Sequence, residues 1–164
     1  DDTTNNNFPQ LIVKKAFDYE LDGNQFEFYL QAYDRENLTD SALITIKIED
    51  LNDNAPVFIN DNATFTIREN TPANSFIGQI IALDKDSSGS NSDISFRILN
   101  EHLRNLFKIY KTGVVSNWIE FDREVQSYYT IRLEAYDSGR PSMSTLGTFY
   151  VRIEDENDNA PYFY

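Results

Sequence analysis

Apolar and polar residues alternate with a period of two over long stretches of this chain. Phe26, Phe28, Leu30 and Ala32 interleave with Glu27, Tyr29 and Gln31, and Ile44, Ile46 and Ile48 interleave with Thr45, Lys47 and Glu49. Further along, Tyr129, Ile131, Leu133 and Ala135 interleave with Thr130, Arg132 and Glu134, and Phe149, Val151 and Ile153 with Tyr150, Arg152 and Glu154. A two-residue period sends alternate side chains to opposite faces of an extended chain, one face buried and one wet. The same reasoning predicts strands over 63–68, 75–83, 93–99, 106–110 and 114–120, and no helical stripe of useful length appears. Gly89, Gly113 and Ser138-Gly139-Arg140-Pro141 mark turns. Seven strands in about 100 residues predict an antiparallel sandwich.

The pattern occurs twice. Phe17-Asp18-Tyr19-Glu20 returns as Phe121-Asp122-Arg123-Glu124, Ala32-Tyr33-Asp34 as Ala135-Tyr136-Asp137, and Asp50-Leu51-Asn52-Asp53-Asn54-Ala55-Pro56 as Asp155-Glu156-Asn157-Asp158-Asn159-Ala160-Pro161. Three motifs in one order at one interval, roughly 104 residues, define a repeat. The expected organisation is a partial repeat over 1–53, a complete repeat over 54–158, and the start of a further linker over 159–164. The first copy has too little chain before Phe17 for a full set of strands. About 55 residues of half-sandwich would leave an apolar face and raw strand edges open, so strands from upstream or from another segment are expected to complete it.

Composition narrows the function. Asp and Glu number 27 against 14 Lys and Arg, a net charge of −13, which argues against nucleic acid as a partner. There is no cysteine and a single histidine, His102, so disulfides, thiolate zinc sites and histidine-rich metal sites are excluded. No apolar run reaches 18 residues. The opening residues Asp1-Asp2-Thr3-Thr4 are polar and do not form a signal peptide; a membrane anchor, if the parent protein has one, lies outside this sequence.

The acids gather at the ends of predicted strands, which points past simple solubility to cation binding. Pro56 ends the segment 50–56, because proline cannot donate to a strand ladder. Asx residues in an extended linker can turn several oxygens towards one point, and Ca²⁺ takes six to eight oxygen ligands in tolerant geometry. Asp18 and Glu20, two residues apart, are expected on one side of an extended chain. Asp84 and Asp86 repeat that spacing before the loop 87–91, and Asp137 ends a strand. An EF-hand reading of Asp84-Lys85-Asp86 fails, because the twelfth position is Ser95 and the flanks read as strands. A glycosidase acid–base pair would need a cleft and split pKa values, and these acids lie in a linker.

The strings 50–58 and 155–163, together with Asp-Tyr/Arg-Glu, Asp-x-Asp and Ala-x-Asp in this order, resemble the linker signature and calcium motifs of cadherin repeats. The resemblance covers essentially the whole chain. It implies an all-β fold of tandem seven-stranded Greek-key, immunoglobulin-like sandwiches, the first N-terminally incomplete, joined end to end with three calcium ions at each junction. By motif, Asp18, Glu20 and Asp53 resemble ligands of the outermost ion. Glu20, Asp50, Asp53 and Asp86, with the Leu51 carbonyl, resemble those of the middle one. Asn52, Asp84, Asp86 and Asp137, with carbonyls of Asn54 and Asn91, resemble those of the third. Glu69, Asp122, Glu124, Asp155, Asn157 and Asp158 resemble half of a further junction, and Asp34 a ligand of an upstream one.

The family's glutamate near the start of each repeat has no counterpart in the first copy, and the loop 87–91 is one residue longer than the commonest family form. No tryptophan lies near residue 1, where family members that swap a terminal strand carry one; Trp118 falls in a predicted strand and is expected to pack. Asn37-Leu38-Thr39 and Asn62-Ala63-Thr64 are glycosylation sequons, which makes Asn37 and Asn62 expected glycan sites.

The function that the resemblance implies is calcium-dependent cell–cell adhesion at the cell surface, without enzymatic activity. The expected partner is another cadherin, of the same or a different kind, on an apposed cell, with neither nucleic acid nor a small-molecule substrate involved. The alternative is a rigid spacer within a signalling or mechanosensory receptor. The linker strings resemble those of large non-desmosomal cadherins and protocadherins.

Overall fold

A computed structural model describes residues 11–86 and 89–161. The chain divides into two compact units at Glu49/Asp50.

In the first unit, one helical turn, α1 (Tyr19–Asp22), precedes an antiparallel hairpin of β1 (Gln25–Tyr33) and β2 (Thr39–Lys47). The Asp34 carboxylate closes the hairpin loop, accepting from the backbone N–H groups of Glu36 (2.8 Å) and Leu38 (2.9 Å). The alternation in sequence is only half realised as burial. Phe26, Phe28, Ile44 and Ile46 are partly covered, whereas Leu30, Ala32 and Leu43 are exposed. Two strands cover little more than each other's edges. Tyr19–Asp22 is helical rather than extended, which corrects the expected placement of Asp18 and Glu20 on one strand face. Asp18 caps the turn instead, its side chain accepting from Leu21 N–H (3.0 Å).

The second unit is a two-layer sandwich. One layer is a four-stranded sheet in the order β4 (Thr64–Arg68), β11 (Ser144–Glu154), β10 (Tyr128–Tyr136), β7 (Ser95–Ile98). The other consists of two short ladders. β3 (Val57–Phe58) pairs with β6 (Ala82–Leu83), and β5 (Phe76–Gln79) pairs with β9 (Val114–Asn117), which in turn pairs with β8 (Phe107–Ile109). Residues 80–81 join the ladders: Ile80 N–H donates to the Gly113 carbonyl (2.9 Å), and the Ile81 carbonyl accepts from Ile59 N–H (2.8 Å). The predicted alternation holds along β10 and β11, where Tyr129, Ile131, Leu133, Phe149, Val151 and Ile153 face the core. Phe107, Phe121 and Tyr129 form an aromatic triangle there, with centroids 5.1–5.3 Å apart.

Three differences from expectation have local causes. The pairing of β4 with β11 is parallel, so the sandwich is not wholly antiparallel. The run 75–83 is not one strand: its register shifts between Phe76 and Gly78, where a Cβ on Gly78 would lie 2.2 Å from the Phe65 ring. The run 114–120 stops at Asn117, whose fully buried carboxamide donates to the carbonyls of Thr71, Pro72 and Ile119 and accepts from Ser75 N–H. Trp118 therefore leaves the strand and is half exposed, a correction to its expected packing. Lys108 holds its ammonium 4.9 Å from the Trp118 ring centroid.

Strand direction sets up two poles. β10 runs from the turn at Asp122 towards Asp137, β11 returns, and β4 runs with β11. The nine residues of β10 separate the poles by roughly 30 Å, at about 3.3 Å per residue.

Candidate functional site

The first pole gathers the linker 50–56, the residues after β6 and the residue after β10. Asp137 is 1% exposed. It accepts from Gly139 N–H (2.9 Å), from Met143 N–H (3.1 Å) and from the Asn52 carboxamide (3.1 Å). Asn52 also donates to the Pro141 carbonyl (2.6 Å). Gly139 packs against the Asn52 carboxamide, where a Cβ would lie 2.3 Å from Asn52 Cγ and displace it. Asn54 donates through one amide nitrogen to Asp53 (2.8 Å) and to Asp86 (2.7 Å). Asn91 donates to Asp50 (3.2 Å), and Asp86 N–H donates to Asp84 (3.0 Å). The predicted residues thus fall into three hydrogen-bonded groups, Asn52 with Asp137, Asn54 with Asp53, Asp86 and Asp84, and Asn91 with Asp50; charge ties them into one electrostatic network, since carboxylate oxygens of Asp50 and Asp86 lie within 4.8 Å of each other and Asp86 and Asp137 both act on Asp84. The Leu51 carbonyl accepts from Asp53 N–H (2.9 Å), closing a tight turn in the linker.

Four buried oxygens of this network have no hydrogen-bond donor: Asp50 Oδ1, Asn52 Oδ1, Asp84 Oδ2 and Asp86 Oδ2. Burial lifts the Asp84 carboxyl above its usual range. The Asp86 N–H pulls the other way, while Asp86 and Asp137 add repulsion. Buried acceptors without donors cost free energy, and convergent hard oxygens are what a divalent cation of the Ca²⁺ type requires. The donor set fits such an ion.

The second pole repeats the plan. Asp158 N–H donates to the Glu156 carbonyl (2.7 Å), the counterpart of the Asp53–Leu51 turn. Asn159 donates to Asp158 (2.7 Å) and Glu124 (2.9 Å), as Asn54 does to its two acids. Carboxylate oxygens of Glu69, Glu124 and Asp158 lie within 4.8 Å of one another. Glu69 is 1% exposed and accepts from Arg123 N–H (2.8 Å) and Glu156 N–H (2.7 Å). Asp122 caps its turn by accepting from Val125 N–H (3.2 Å), the counterpart of Asp18. Asp155 is bound by the Arg123 guanidinium (3.1 Å), and Asn157 is exposed in the same linker. Tyr162 and Phe163, the end of the second signature, lie outside the described residues. Asn159 and Asn70, which donates to Asp158 (2.6 Å), are additional members. The repeat itself marks Asn159, since it stands where Asn54 stands, whereas Arg123 and Asn70 carry no such signal.

Asp18 and Glu20 belong to the first unit. Asn37 and Asn62 both sit exposed, in turns with φ of 64° and 63°.

A profile of the Cadherin domain family matches residues 63–154. The chain belongs to the cadherin family. Among human relatives it is 36% identical to Protocadherin-7 over 154 residues, covering 92% of this chain and 14% of that protein. It is 39% identical to human Protocadherin-23 over 127 residues, covering 77% of this chain and 4% of that one. The chain thus spans a small fraction of these relatives. Two solved structures resemble it closely. "Protocadherin Gamma B2 extracellular cadherin domains 3-6" superposes with a TM-score of 0.80 at 33% identity, covering 90% of this chain and 36% of that one. "Protocadherin gammaB7 EC3-6 cis-dimer structure" superposes with a TM-score of 0.81 at 31% identity, with the same two coverages. The fold is therefore that of protocadherin repeats, an immunoglobulin-like sandwich, and the family is one of adhesion proteins rather than enzymes.

Proposed function

We propose that this cadherin chain is a calcium-dependent adhesion segment of a cell-surface protein, in which Ca²⁺ stiffens the passage from one repeat to the next. The observation that carries this reading is the set of four buried, donor-less oxygens on Asp50, Asn52, Asp84 and Asp86. With Asp53 and Asp137 they would hold Ca²⁺, and the motif order adds Asp18 and Glu20 from the first unit. The bound ion would supply positive charge that offsets carboxylate repulsion. Asn52 and Asn54 hold the linker against Asp137 and Asp86, so the oxygens are pre-placed. At the second pole Glu69, Asp122, Glu124, Asp155, Asn157 and Asp158 would form half of a second site. Sites of this kind in extracellular modules bind at about 10⁻⁴–10⁻³ M, so stiffness would track extracellular calcium. The proposed partner is another cadherin on an apposed cell, the parent protein being anchored in its membrane outside this segment. Glycans at Asn37 and Asn62 fit that setting.

Calorimetric titration of the chain with CaCl₂ to about 10 mM is expected to show saturable heat. Small-angle scattering is expected to show a longer particle in calcium than in EDTA. Absence of heat together with identical scattering profiles would overturn the reading. Beads coated with the chain distinguish adhesion, which aggregates them in calcium, from a spacer role, which does not.

A further inference from the structure

The buried Asp137 at the first pole and the Asn91 that holds Asp50 lie on separate stretches of chain, and a cluster outside the candidate ligands ties those stretches together. Ser138, the residue after Asp137, donates its N–H to the Ser90 carbonyl (3.0 Å). Its hydroxyl donates to the carbonyl and to the Oδ2 of Asp93 (both 3.3 Å). Asp93 N–H closes a turn on the same Ser90 carbonyl (3.4 Å). The segment 90–93 gathered in this way carries Asn91, which donates to Asp50 (3.2 Å). The Asn52–Asp137 and Asn91–Asp50 groups are therefore joined through Ser138 and segment 90–93 rather than directly.

Asp93 is in turn gripped from the other layer. The Lys111 ammonium lies 2.6 and 2.7 Å from the two Asp93 carboxylate oxygens. Lys111 stands in the turn between β8 and β9, and that turn is held on two sides. Within it, Gly113 N–H donates to the Tyr110 carbonyl (2.8 Å) and Tyr110 N–H to the Val114 carbonyl (2.9 Å). From outside, Ile80 N–H donates to the Gly113 carbonyl (2.9 Å) and the Gln79 carboxamide to the Thr112 carbonyl (3.1 Å). Gly113 has a φ of 78°, and a Cβ there would lie 2.0 Å from the Ile80 carbonyl oxygen, so this close approach needs glycine.

We infer that Lys111 and Asp93 are positioning residues for the first cation site, a clamp that pins segment 90–93, and with it Asn91 and the turn after Asp137, to the β8–β9 hairpin. This role rests on the proposed cation site, and neither residue belongs to a linker motif. With side chains 61% and 43% exposed, the pair adds little to the stability of the fold. What it adds is order at the pole. A site whose ligand-bearing segments are already in place binds at its intrinsic affinity, whereas a site in that arrangement for part of the time is weakened by that fraction. Charge alone would act in the opposite direction. A lysine beside a cation site repels the cation, so its removal would strengthen binding. The sign of the effect separates the two roles.

The test is a calcium titration of the 164-residue chain to about 10 mM, followed residue by residue by NMR. The Gly139 amide, bonded to Asp137, reports the first pole, and the Arg123 amide, bonded to Glu69, reports the second. Lys111→Met is expected to weaken the affinity read at Gly139 about threefold and to leave that read at Arg123 unchanged. Its melting temperature in EDTA is expected within about 2 °C of the parent's. Lys111→Arg keeps an ion pair with the carboxylate and is expected to retain the parental affinity. Ser138→Ala removes one bond of the clamp without changing charge, and is expected to weaken the first pole in the same direction by less. A parent chain whose Gly139 amide responds to calcium, while Lys111→Met binds equally or more tightly, overturns the clamp and leaves the cation site standing. Equal weakening at both poles overturns the clamp as well, since it marks a general loosening of the fold. A parent chain in which neither amide responds overturns the cation site and the clamp with it.

Discussion

At the first pole of the sandwich, Asp50, Asp84, Asp86 and Asp137 meet with no ion pair reaching them among the described residues, and four oxygens of the network find no donor. At the second, Arg123 bonds Asp155 and lies 3.5 Å from Glu124, while both oxygens of the buried Glu69 accept from backbone N–H groups. The two poles share a linker motif, a tight turn and a bridging asparagine. They differ in where neutralisation comes from. One pole carries part of its counter-charge in its own sequence, and the other leaves buried acceptors without a donor, which the proposed cation would satisfy. A repeated motif therefore fixes geometry more firmly than it fixes affinity, because one neighbouring side chain can reset the charge balance.

The largest expected effect is that of removing a shared ligand at the first pole. Asp86→Ala deletes both a donor-less oxygen and the anchor of Asn54. Calorimetry is expected to show at least a tenfold loss of calcium affinity there, about 1.4 kcal/mol, with second-pole binding unchanged. Equal loss at both poles would break the comparison. Gly139→Ala comes next. Its Cβ would displace Asn52 from Asp137 and the Pro141 carbonyl, and a several-fold weaker first pole is expected, with a melting temperature a few degrees lower in calcium and in EDTA alike.

Asp84→Asn sharpens the comparison through its sign. Without cation, the folded-state pKa of Asp84 lies above its unfolded value. Its contribution to stability is then present at low pH and lost as pH rises through that raised value. In EDTA, acidification from pH 7 is expected to reduce this destabilisation in the parent chain, and Asp84→Asn at pH 7 is expected to raise the melting temperature by about 2 °C. In calcium the same variant is expected to melt lower than the parent, because a ligand is gone. A variant that moves in one direction under both conditions would show that no cation meets Asp84. The smallest effect belongs to Arg123→Gln. Partly exposed ion pairs are worth little, so a fall of at most a couple of degrees is expected in EDTA. Calcium binding at the second pole is expected to tighten or hold steady; a marked loss would mean that Arg123 positions the ligands rather than competing for them.

The strands, the repeat and the metal-type motifs can be read from the residues alone, because each is a short-range signal. Period-two alternation at 129–135 and 149–153 reports which face is buried, and the paired Asp-x-Asn-Asp-Asn strings report where oxygens collect. Asn54 even predicts Asn159. What linear order could not convey depends on which strands become neighbours. The parallel pairing of β4 with β11 carries Glu69 to the end of Glu154 and so builds the second pole. The approach of Asn52 to residue 139 is set by packing across more than eighty residues of chain. The ending of β9 at Asn117 turns Trp118 outward, and the second layer is completed only where its two ladders join at Ile80 and Ile81. Alternation shows that a strand has two sides. Whether the outer side meets water, a charge or another molecule is settled by the strands beside it, because burial is a property of assembled surfaces and not of a single run of residues.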